Sequence, residues 1–247
     1  MGELDVIEID GEQLKLPFCL SFICLPTQHT YMFYVVRIGN YAAIIDTGYR
    51  CIAFERIFEL LWGSEYLLQG ALEIELINTY TDDSYNGYTS ELCDVIRSMD
   101  GVRFTHIQRD ETDWDVIHEN SEWDYVRVPS EHMRLGMFPK GRHYGYRCFV
   151  RDRIFKTTLF IPHVKSKKST DYTQEAFAVE FEVPMSDSTK EPFRCLLGGG
   201  SSFLNDMLPF THSMFKSVDC LVQANHGSIS YTSVEQYSAI PCDFLFG

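Results

Sequence analysis

Apolar residues near the start of the chain cluster in three runs, which cover residues 16–25, 31–39 and 41–48. Taken together, the runs are rich in Phe, Ile and Val, a composition typical of β-strands. The pair Gly39-Asn40 separates the second run from the third and is a hairpin-turn signal. The pattern therefore predicts consecutive strands, two of them joined as a hairpin.

The spacing of apolar residues becomes helical from residue 51 onward, and Gly63 is predicted to end this first helix. Its apolar face is predicted to hold Ile52, Phe54, Ile57, Phe58 and Leu61. Alternation returns over residues 71–80, which predicts another strand.

A second helix is predicted over residues 89–101, with Thr89 or Ser90 as its N-cap and Gly101 as its C-cap. Its apolar face is predicted to hold Leu92, Val95, Ile96 and Met99. The remaining pattern predicts strands over 175–184, 192–199, 218–225 and 242–247, and helices over 202–211 and 233–240. Alternating strands and helices favour an α/β layered fold.

The chain has 247 residues, 45% of them apolar, which is enough for one sizeable core. We therefore expect a single domain over residues 1–247. Residues 103–170 show the weakest pattern and are predicted to be an atypical insert. Histidines in this range are spaced by 12, 14, 11 and 20 residues, which matches no metal-ligand signature. They are His106, His118, His132, His143 and His163.

The formal net charge is −14, from 35 acidic and 21 basic residues. A field of this sign repels phosphate backbones, so non-specific nucleic-acid binding is disfavoured. The strongest basic stretch, residues 163–168, is interpreted as a solvated loop.

The first ten residues lack the basic and apolar segments of a secretory signal. No apolar stretch approaches the roughly 20 residues that a membrane span needs. The eight cysteines are scattered without a C-x-x-C pair, which is typical of free thiols in a reducing compartment. These features predict a cytoplasmic protein that does not enter a membrane.

Four landmarks follow one another along the chain. The first is a strand that ends in Asp-Thr-Gly, residues 46–48, and the second is a strand, polar loop and helix start over residues 74–88. The third is a pair of strands that ends in the glycines 198–200, and the fourth is a strand that ends in Asn-His-Gly-Ser, residues 225–228. In this order they resemble the metallo-β-lactamase fold, within it the branch that includes the hydrolase domain of the bacterial DNA-uptake (competence) channel.

The resemblance covers residues 20–245 and implies an α/β fold of the αββα sandwich type, with two mixed sheets between helices. Family members usually continue beyond the strand on which this sequence ends. We therefore expect the last C-terminal elements to be lacking, and a partner or a further segment to cover the last sheet edge.

The family loop carries metal-binding histidines and aspartates, and the resemblance places other residues at most of these positions. Thr79 matches the family threonine, whereas Tyr80 stands at the first histidine. Ser84 stands at an aspartate and Tyr85 at the last histidine. Asp82 falls on a position where an aspartate or histidine is usual.

The later motifs have changed in the same way. Gly200 stands at the aspartate that bridges the metals in the family. Asn225 replaces the first histidine of the fourth motif, and His226 is retained. The motif that begins at Asp46 is intact, and in the family it serves mainly the architecture around the site.

Zinc and manganese require imidazole, thiolate or carboxylate donors, at least three of them from the protein in a catalytic site. Phenol, hydroxyl and amide groups are weak donors, and glycine offers none. Asp82, Asp83 and His226 remain, which are too few for two metals. Without a metal nothing lowers the pKa of a bound water towards neutrality. The sequence therefore predicts no cofactor and no catalytic residue.

The first hypothesis is a catalytically inactive protein of this fold that acts as a binding, regulatory or scaffold subunit, with a protein partner or as a homo-oligomer. Its vestigial site or cleft would contain Asp46, Tyr80, Asp82, Ser84, Tyr85, Gly200, Asn225 and His226. Tyr80, Tyr85, Tyr88 and Tyr231 either line that cleft or pack as ordinary half-buried side chains.

The second hypothesis is a divergent hydrolase of phosphodiesterase or nuclease type. One Zn or Mn ion would be bound by Asp82 and His226, together with a histidine from the middle of the chain: His132, His143 or His163. A third hypothesis is metal-free acid–base chemistry by His226 and Asp83. The structural alternative for Asp82 and Asp83 is helix capping or plain solvation.

Overall fold

The computed structural model describes residues 6–9, 12–15, 18–25, 31–48, 53–63, 67–79, 87–109, 117–118, 136–137, 143–152, 156–164, 178–185, 187–198, 217–222 and 242–246. These residues form 15 strands and two helices. The fold is mixed α/β with two mixed sheets, as predicted at this level.

The chain divides into two compact units. The first comprises Met1–Asn78, Asp82–Asp110 and Val116–Ser121, and the second comprises Thr79–Thr81, Glu111–Asp115 and Glu122–Gly247. The prediction of one domain over residues 1–247, with an insert at 103–170, stays a prediction.

The first unit contains a two-stranded hairpin and a six-stranded sheet. The hairpin consists of β1 (Val6–Ile9) and β2 (Glu12–Lys15). The sheet has the order β3-β4-β5-β6-β7-β8, in which the strands are β3 (Phe18–Leu25), β4 (Tyr31–Ile38), β5 (Tyr41–Ile45), β6 (Glu73–Ile77), β7 (Arg103–Arg109) and β8 (Ile117–His118). Strands β5, β6 and β7 are parallel, and the other neighbours are antiparallel.

The predicted hairpin turn at Gly39-Asn40 is confirmed. Gly39 has a φ of 57°, which glycine adopts without steric cost, so two residues suffice to reverse the chain. Arg37 fixes this turn, because its Nε donates to the carbonyl of Gly39 at 2.8 Å. Its Nη1 also donates to the carbonyls of Leu67 at 2.9 Å and Gln69 at 2.8 Å, which ties the turn to the segment before β6.

Helix α1 (Phe54–Trp62) follows β5 and ends at Gly63, as predicted. It buries Ile57 and Leu61. Phe58 is 39% exposed, and its ring stacks on that of Trp62. Phe58 lies about 100° around the helix from Ile57, at the edge of the apolar stripe.

Helix α2 (Thr89–Arg97) follows β6 and buries Leu92, Cys93 and Ile96. Its predicted caps are wrong, because the N-cap is Tyr88 and the C-cap is Ser98. The helix ends before Gly101, since the N–H of Ser98 already donates to carbonyls of the last turn. Gly101, with a φ of 77°, belongs to the turn that leads into β7.

The central strands β4, β5 and β6 of the six-stranded sheet are buried on both faces. On one face, sheet and helix residues form a core of Phe33, Val35, Ala42, Ile44, Ile57, Leu61, Leu68, Ala71, Ile74, Leu76, Tyr88, Leu92, Cys93 and Ile96. On the other face, Ala43, Ile45 and Ile77 are fully buried. Each large aliphatic side chain so buried contributes about 1.5–3 kcal/mol to folding.

The second unit contains a seven-stranded sheet of order β15-β14-β13-β12-β11-β10-β9. Its strands are β9 (Gly136–Met137), β10 (His143–Asp152), β11 (Lys156–Val164), β12 (Ala178–Val183), β13 (Phe193–Leu197), β14 (Val218–Val222) and β15 (Cys242–Phe246). Strands β9 to β13 are antiparallel, and β13, β14 and β15 are parallel.

The last four predicted strands are confirmed as β12 to β15. Strands β7, β10 and β11 lie within residues 103–170, where the pattern was weakest. The helices predicted over 202–211 and 233–240 lie outside the described residues. Within the described part of the chain, neither helix is long and apolar enough to cross a membrane.

Candidate functional site

The carboxyl ends of β5 and β6 lie at the same edge of the six-stranded sheet, because the two strands are parallel. Asp46 follows β5 and its N–H donates to the carbonyl of Ile77 at 2.9 Å. Asn78 follows β6 and its N–H donates to the carbonyl of Ile107 at 2.9 Å. The ladder thus holds both residues at the edge where open α/β sheets bind ligands.

Asp46 adopts a left-handed backbone conformation. Its φ is 60°, and the residue is buried. This conformation costs a non-glycine residue about 1–2 kcal/mol. Gly48, two residues on, has a φ of 69°. The Asp-Thr-Gly motif is therefore a sharp turn, in which the buried Asp46 adopts a backbone conformation that is unusual for a residue other than glycine.

This turn contacts the end of the polar loop that follows β6. The Oγ1 of Thr47 accepts the N–H of Tyr88 at 3.2 Å, and the carbonyl of Gly48 accepts the N–H of Gly87 at 2.9 Å. Residues 46–48 and 87–88 belong to the first and second landmarks of the sequence. The structure brings these two landmarks together within the first unit.

Asn78 connects the edge to the start of helix α2. Its Nδ2 donates to Oγ1 of Thr89 at 2.9 Å, and that oxygen lies 3.4 Å from Oγ1 of Thr47. The Oδ1 of Asn78 is buried and has no hydrogen-bond partner among the described residues. A buried amide oxygen in this state suits a donor such as a water molecule or a ligand N–H or O–H.

We call Asp46, Thr47, Asn78 and Thr89 the carboxyl-edge cluster. Sequence reasoning identified Asp46 and Thr47 but missed Asn78 and assigned Thr89 a different role, that of helix N-cap. The sequence feature that could have identified Asn78 was a polar residue directly after the apolar strand β6. The cluster contains one acid and three neutral polar side chains, so it supplies hydrogen bonds and a single carboxylate.

Tyr88 belongs to the core. Its side chain is buried, and its ring centroid lies 5.7 Å from that of Phe54 on helix α1. For this tyrosine the packing alternative holds, and its backbone N–H contacts the carboxyl-edge cluster.

In the second unit, the strands that lead into the third and fourth landmarks are parallel neighbours. Leu197 of β13 pairs with Val222 of β14, and the N–H of Gly198 donates to the carbonyl of Val222 at 3.0 Å. The segments that follow these strands therefore start at the same edge of the seven-stranded sheet.

Most of the residues predicted from the resemblance lie outside the described part of the chain. They are Tyr80, Asp82, Asp83, Ser84, Tyr85, Gly200, Asn225 and His226, with His132 and Tyr231. Thr79 is described and fully buried. His143 begins β10, and His163 lies in β11 opposite Gly145.

His106 is a partly buried histidine of the first unit. It pairs with Leu76 in the sheet, and its Nε2 is buried without a partner among the described residues. Burial, and secondly the charge of Arg97, lower its pKa to about 4. The side chain is therefore a neutral imidazole at pH 7.

Among the described side chains, no group of three or more His, Cys, Asp or Glu is placed to hold a metal ion. No protein-family model matches the sequence, and no curated protein matches it.

Proposed function

We propose that the chain is a metallo-β-lactamase-like protein of the αββα type that has lost its hydrolase centre and acts as a binding, regulatory or scaffold subunit. Its partner is another protein or a second copy of the chain. Asp46 and the segments around residues 80–85, 200 and 225–226 would form the vestigial cleft.

The observation that carries the proposal is the contact between the Asp-Thr-Gly turn and the end of the polar loop. In the family that the sequence resembles, the corresponding turn supports the loop that bears the metal ligands. Here Thr47 and Gly48 bind the backbone of residues 87–88. This contact supports the proposal that the architecture around the loop is kept, while the resemblance places Tyr80, Ser84 and Tyr85 at the ligand positions.

The pairing of β13 with β14 gives a second line of support. These strands lead into the third and fourth landmarks, and Gly198 is bonded to Val222 where both strands end. The family arrangement requires such adjacency, since both motifs contribute to one site. At the positions of two ligands, however, the chain carries Gly200 and Asn225, and neither supplies an imidazole or a carboxylate.

Restoring the family ligands tests the proposal. A variant with Tyr80→His, Ser84→Asp, Tyr85→His, Gly200→Asp and Asn225→His should bind Zn²⁺ or Mn²⁺ near stoichiometrically in a titration followed by elemental analysis. The unchanged chain should remain well below one metal per chain. A matched variant with Tyr80→Phe and Tyr85→Phe removes the phenols without adding ligands, and should behave like the unchanged chain.

Two results would contradict the proposal. If the restored variant folds but binds no metal, these positions do not converge as the resemblance implies. If the unchanged chain binds metal and hydrolyses bis(p-nitrophenyl) phosphate, the divergent single-metal hydrolase is the correct alternative.

A further inference from the structure

Two cysteines lie directly opposite each other in the seven-stranded sheet. Cys195 of β13 and Cys220 of β14 are Cα partners on parallel strands. Both are free thiols, and they are 1% and 2% exposed. Directly paired residues project from the same face of a sheet, so the two side chains lie next to each other.

The spacing of this pair permits a disulfide. Neighbouring strands lie about 4.8 Å apart, and the Cα atoms of disulfides lie about 4.4–6.8 Å apart. Cys242 of β15 pairs with Val218 and is offset from Cys220 by two residues. Its Cα therefore lies about 8 Å from that of Cys220, beyond the reach of a disulfide.

The two neighbouring thiols shift each other's pKa. The interaction with Cys195 lowers the pKa of Cys220, and the interaction with Cys220, together with burial, raises the pKa of Cys195. Cys220 is then the better thiolate, and the thiolate is the nucleophilic form of cysteine. Cys195 retains its proton beside it.

Cys220 is buried, and among the described strands only β15 lies between it and the edge of the sheet. The partner of Cys220 on the other side is Phe244 of β15, which is 58% exposed. Strand β15 is the outermost strand of this sheet within the described residues. The partly exposed ring of Phe244 therefore lies next to the Cys220 side chain on the same face of the sheet.

We propose that Cys195 and Cys220 form a peroxide-sensitive dithiol that closes to a reversible disulfide. The Cys220 thiolate attacks one oxygen of hydrogen peroxide, which gives a sulfenic acid and hydroxide. The sulfur of Cys195 then attacks the Cys220 sulfur, its proton leaves with the departing oxygen as water, and the S–S bond forms. Two thiols are oxidised by two electrons, and one peroxide is reduced.

The disulfide is expected to be easily reduced, because the strand spacing of about 4.8 Å is narrower than the roughly 5.5–6 Å most common between the Cα atoms of disulfides, so that closure strains the pair. Cys195 lies three residues before Gly198 and Cys220 two residues before Val222, and Gly198 and Val222 are joined by a backbone hydrogen bond. Closure would therefore shift the ends of both strands, where the segments to Gly200 and Asn225 begin. The proposal is independent of whether the chain binds a metal.

Peptide mapping tests the proposal on the full chain. Trypsin cuts after Arg194 and Lys216, and no Lys or Arg follows Lys216. Cys220 and Cys242 therefore share one peptide, so the experiment uses a Cys242→Ser background. After peroxide, thiol alkylation and digestion, peptides 195–216 and 217–247 should appear joined, lighter than their sum by two hydrogens. Dithiothreitol should separate them.

Three variants serve as controls. Cys195→Ser should abolish the joined peptide and leave a sulfenic acid on Cys220 that dimedone traps. Phe244→Ala should speed the joining severalfold. Cys93 is a buried thiol on α2 whose pKa is raised by burial. Peroxide should not oxidise it, so it should still be recovered in the alkylated form. The proposal is overturned if the two peptides stay separate in the folded chain under peroxide, or if they join only after the chain is unfolded in urea.

Discussion

The Oγ1 of Thr47 accepts the backbone N–H of Tyr88 at 3.2 Å, although the two residues are 41 positions apart. This bond joins the turn after β5 to the residue that caps helix α2. Both residues are buried. The start of helix α2 is therefore tied to the turn after β5 through a threonine hydroxyl.

Thr47→Val should destabilise the chain by about 1–2 kcal/mol, because the shape is kept while a buried N–H loses this acceptor. Thr47→Ser retains the hydroxyl and should cost clearly less. The free energy of unfolding in urea measures both. A smaller loss for Thr47→Val than for Thr47→Ser would show that the methyl group, not the hydrogen bond, is what matters.

The backbone of Asp46 gives a second prediction. Alanine and glycine both remove its carboxylate, but only glycine tolerates a φ of 60° without strain. Asp46→Gly should therefore be more stable than Asp46→Ala by about 1 kcal/mol. Chemical denaturation of the two variants side by side isolates the backbone effect. A more stable alanine variant would contradict the left-handed conformation.

A third prediction concerns the buried hydrogen bond between Tyr41 and Glu75. The phenol of Tyr41 donates to Oε2 of Glu75 at 2.6 Å, and Glu75 is fully buried. Tyr41→Phe should cost about 1.5–3 kcal/mol, because a hydrogen bond to a buried acid is lost. As a control, Glu59→Gln removes the exposed ion pair between Arg56 and Glu59, which should change the free energy of unfolding little. Similar effects at both sites would be inconsistent with the burial of Glu75.

The lowered pKa of His106 predicts how the free energy of unfolding depends on pH. Its pKa is lowered from 6.5 to about 4, first by burial and then by Arg97. Between these values the unfolded chain binds a proton that the folded chain does not. The free energy of unfolding is therefore fully retained above about pH 6.5, and the part of it that depends on a neutral His106 is lost as the pH falls towards 4.

A pKa difference of this size corresponds to about 3 kcal/mol, and partial exposure reduces it to about 2 kcal/mol. His106→Leu should remove this part of the acid destabilisation, because leucine cannot be protonated. Unfolding free energies at pH 7 and pH 4.5 measure the difference. An unchanged acid loss in the variant would rule out His106 as its source.

Elements with a strong local pattern were predictable from the sequence. The alternating apolar runs gave β3, β4 and β5, and the helical spacing gave α1 with its end at Gly63. The turn at Gly39-Asn40 followed from residue type alone. These features depend on neighbours within a few positions of the chain.

Strands β10 and β11 were not predicted, because charged residues and Pro162 interrupt their apolar alternation. The caps of α2 were misplaced, because the Thr89 hydroxyl is engaged by Asn78 from another element. The pairing of Cys195 with Cys220 depends on strand register over 25 positions. No local pattern encodes contacts of this kind.

The most direct test of the proposed function is the metal content of the chain purified without chelators, measured by elemental mass spectrometry beside an Asp82→Ala variant. A chain without a hydrolase centre should carry metal far below one ion per chain, unchanged by Asp82→Ala. Near-stoichiometric zinc, manganese or iron that disappears in Asp82→Ala would contradict the account and establish a metal site.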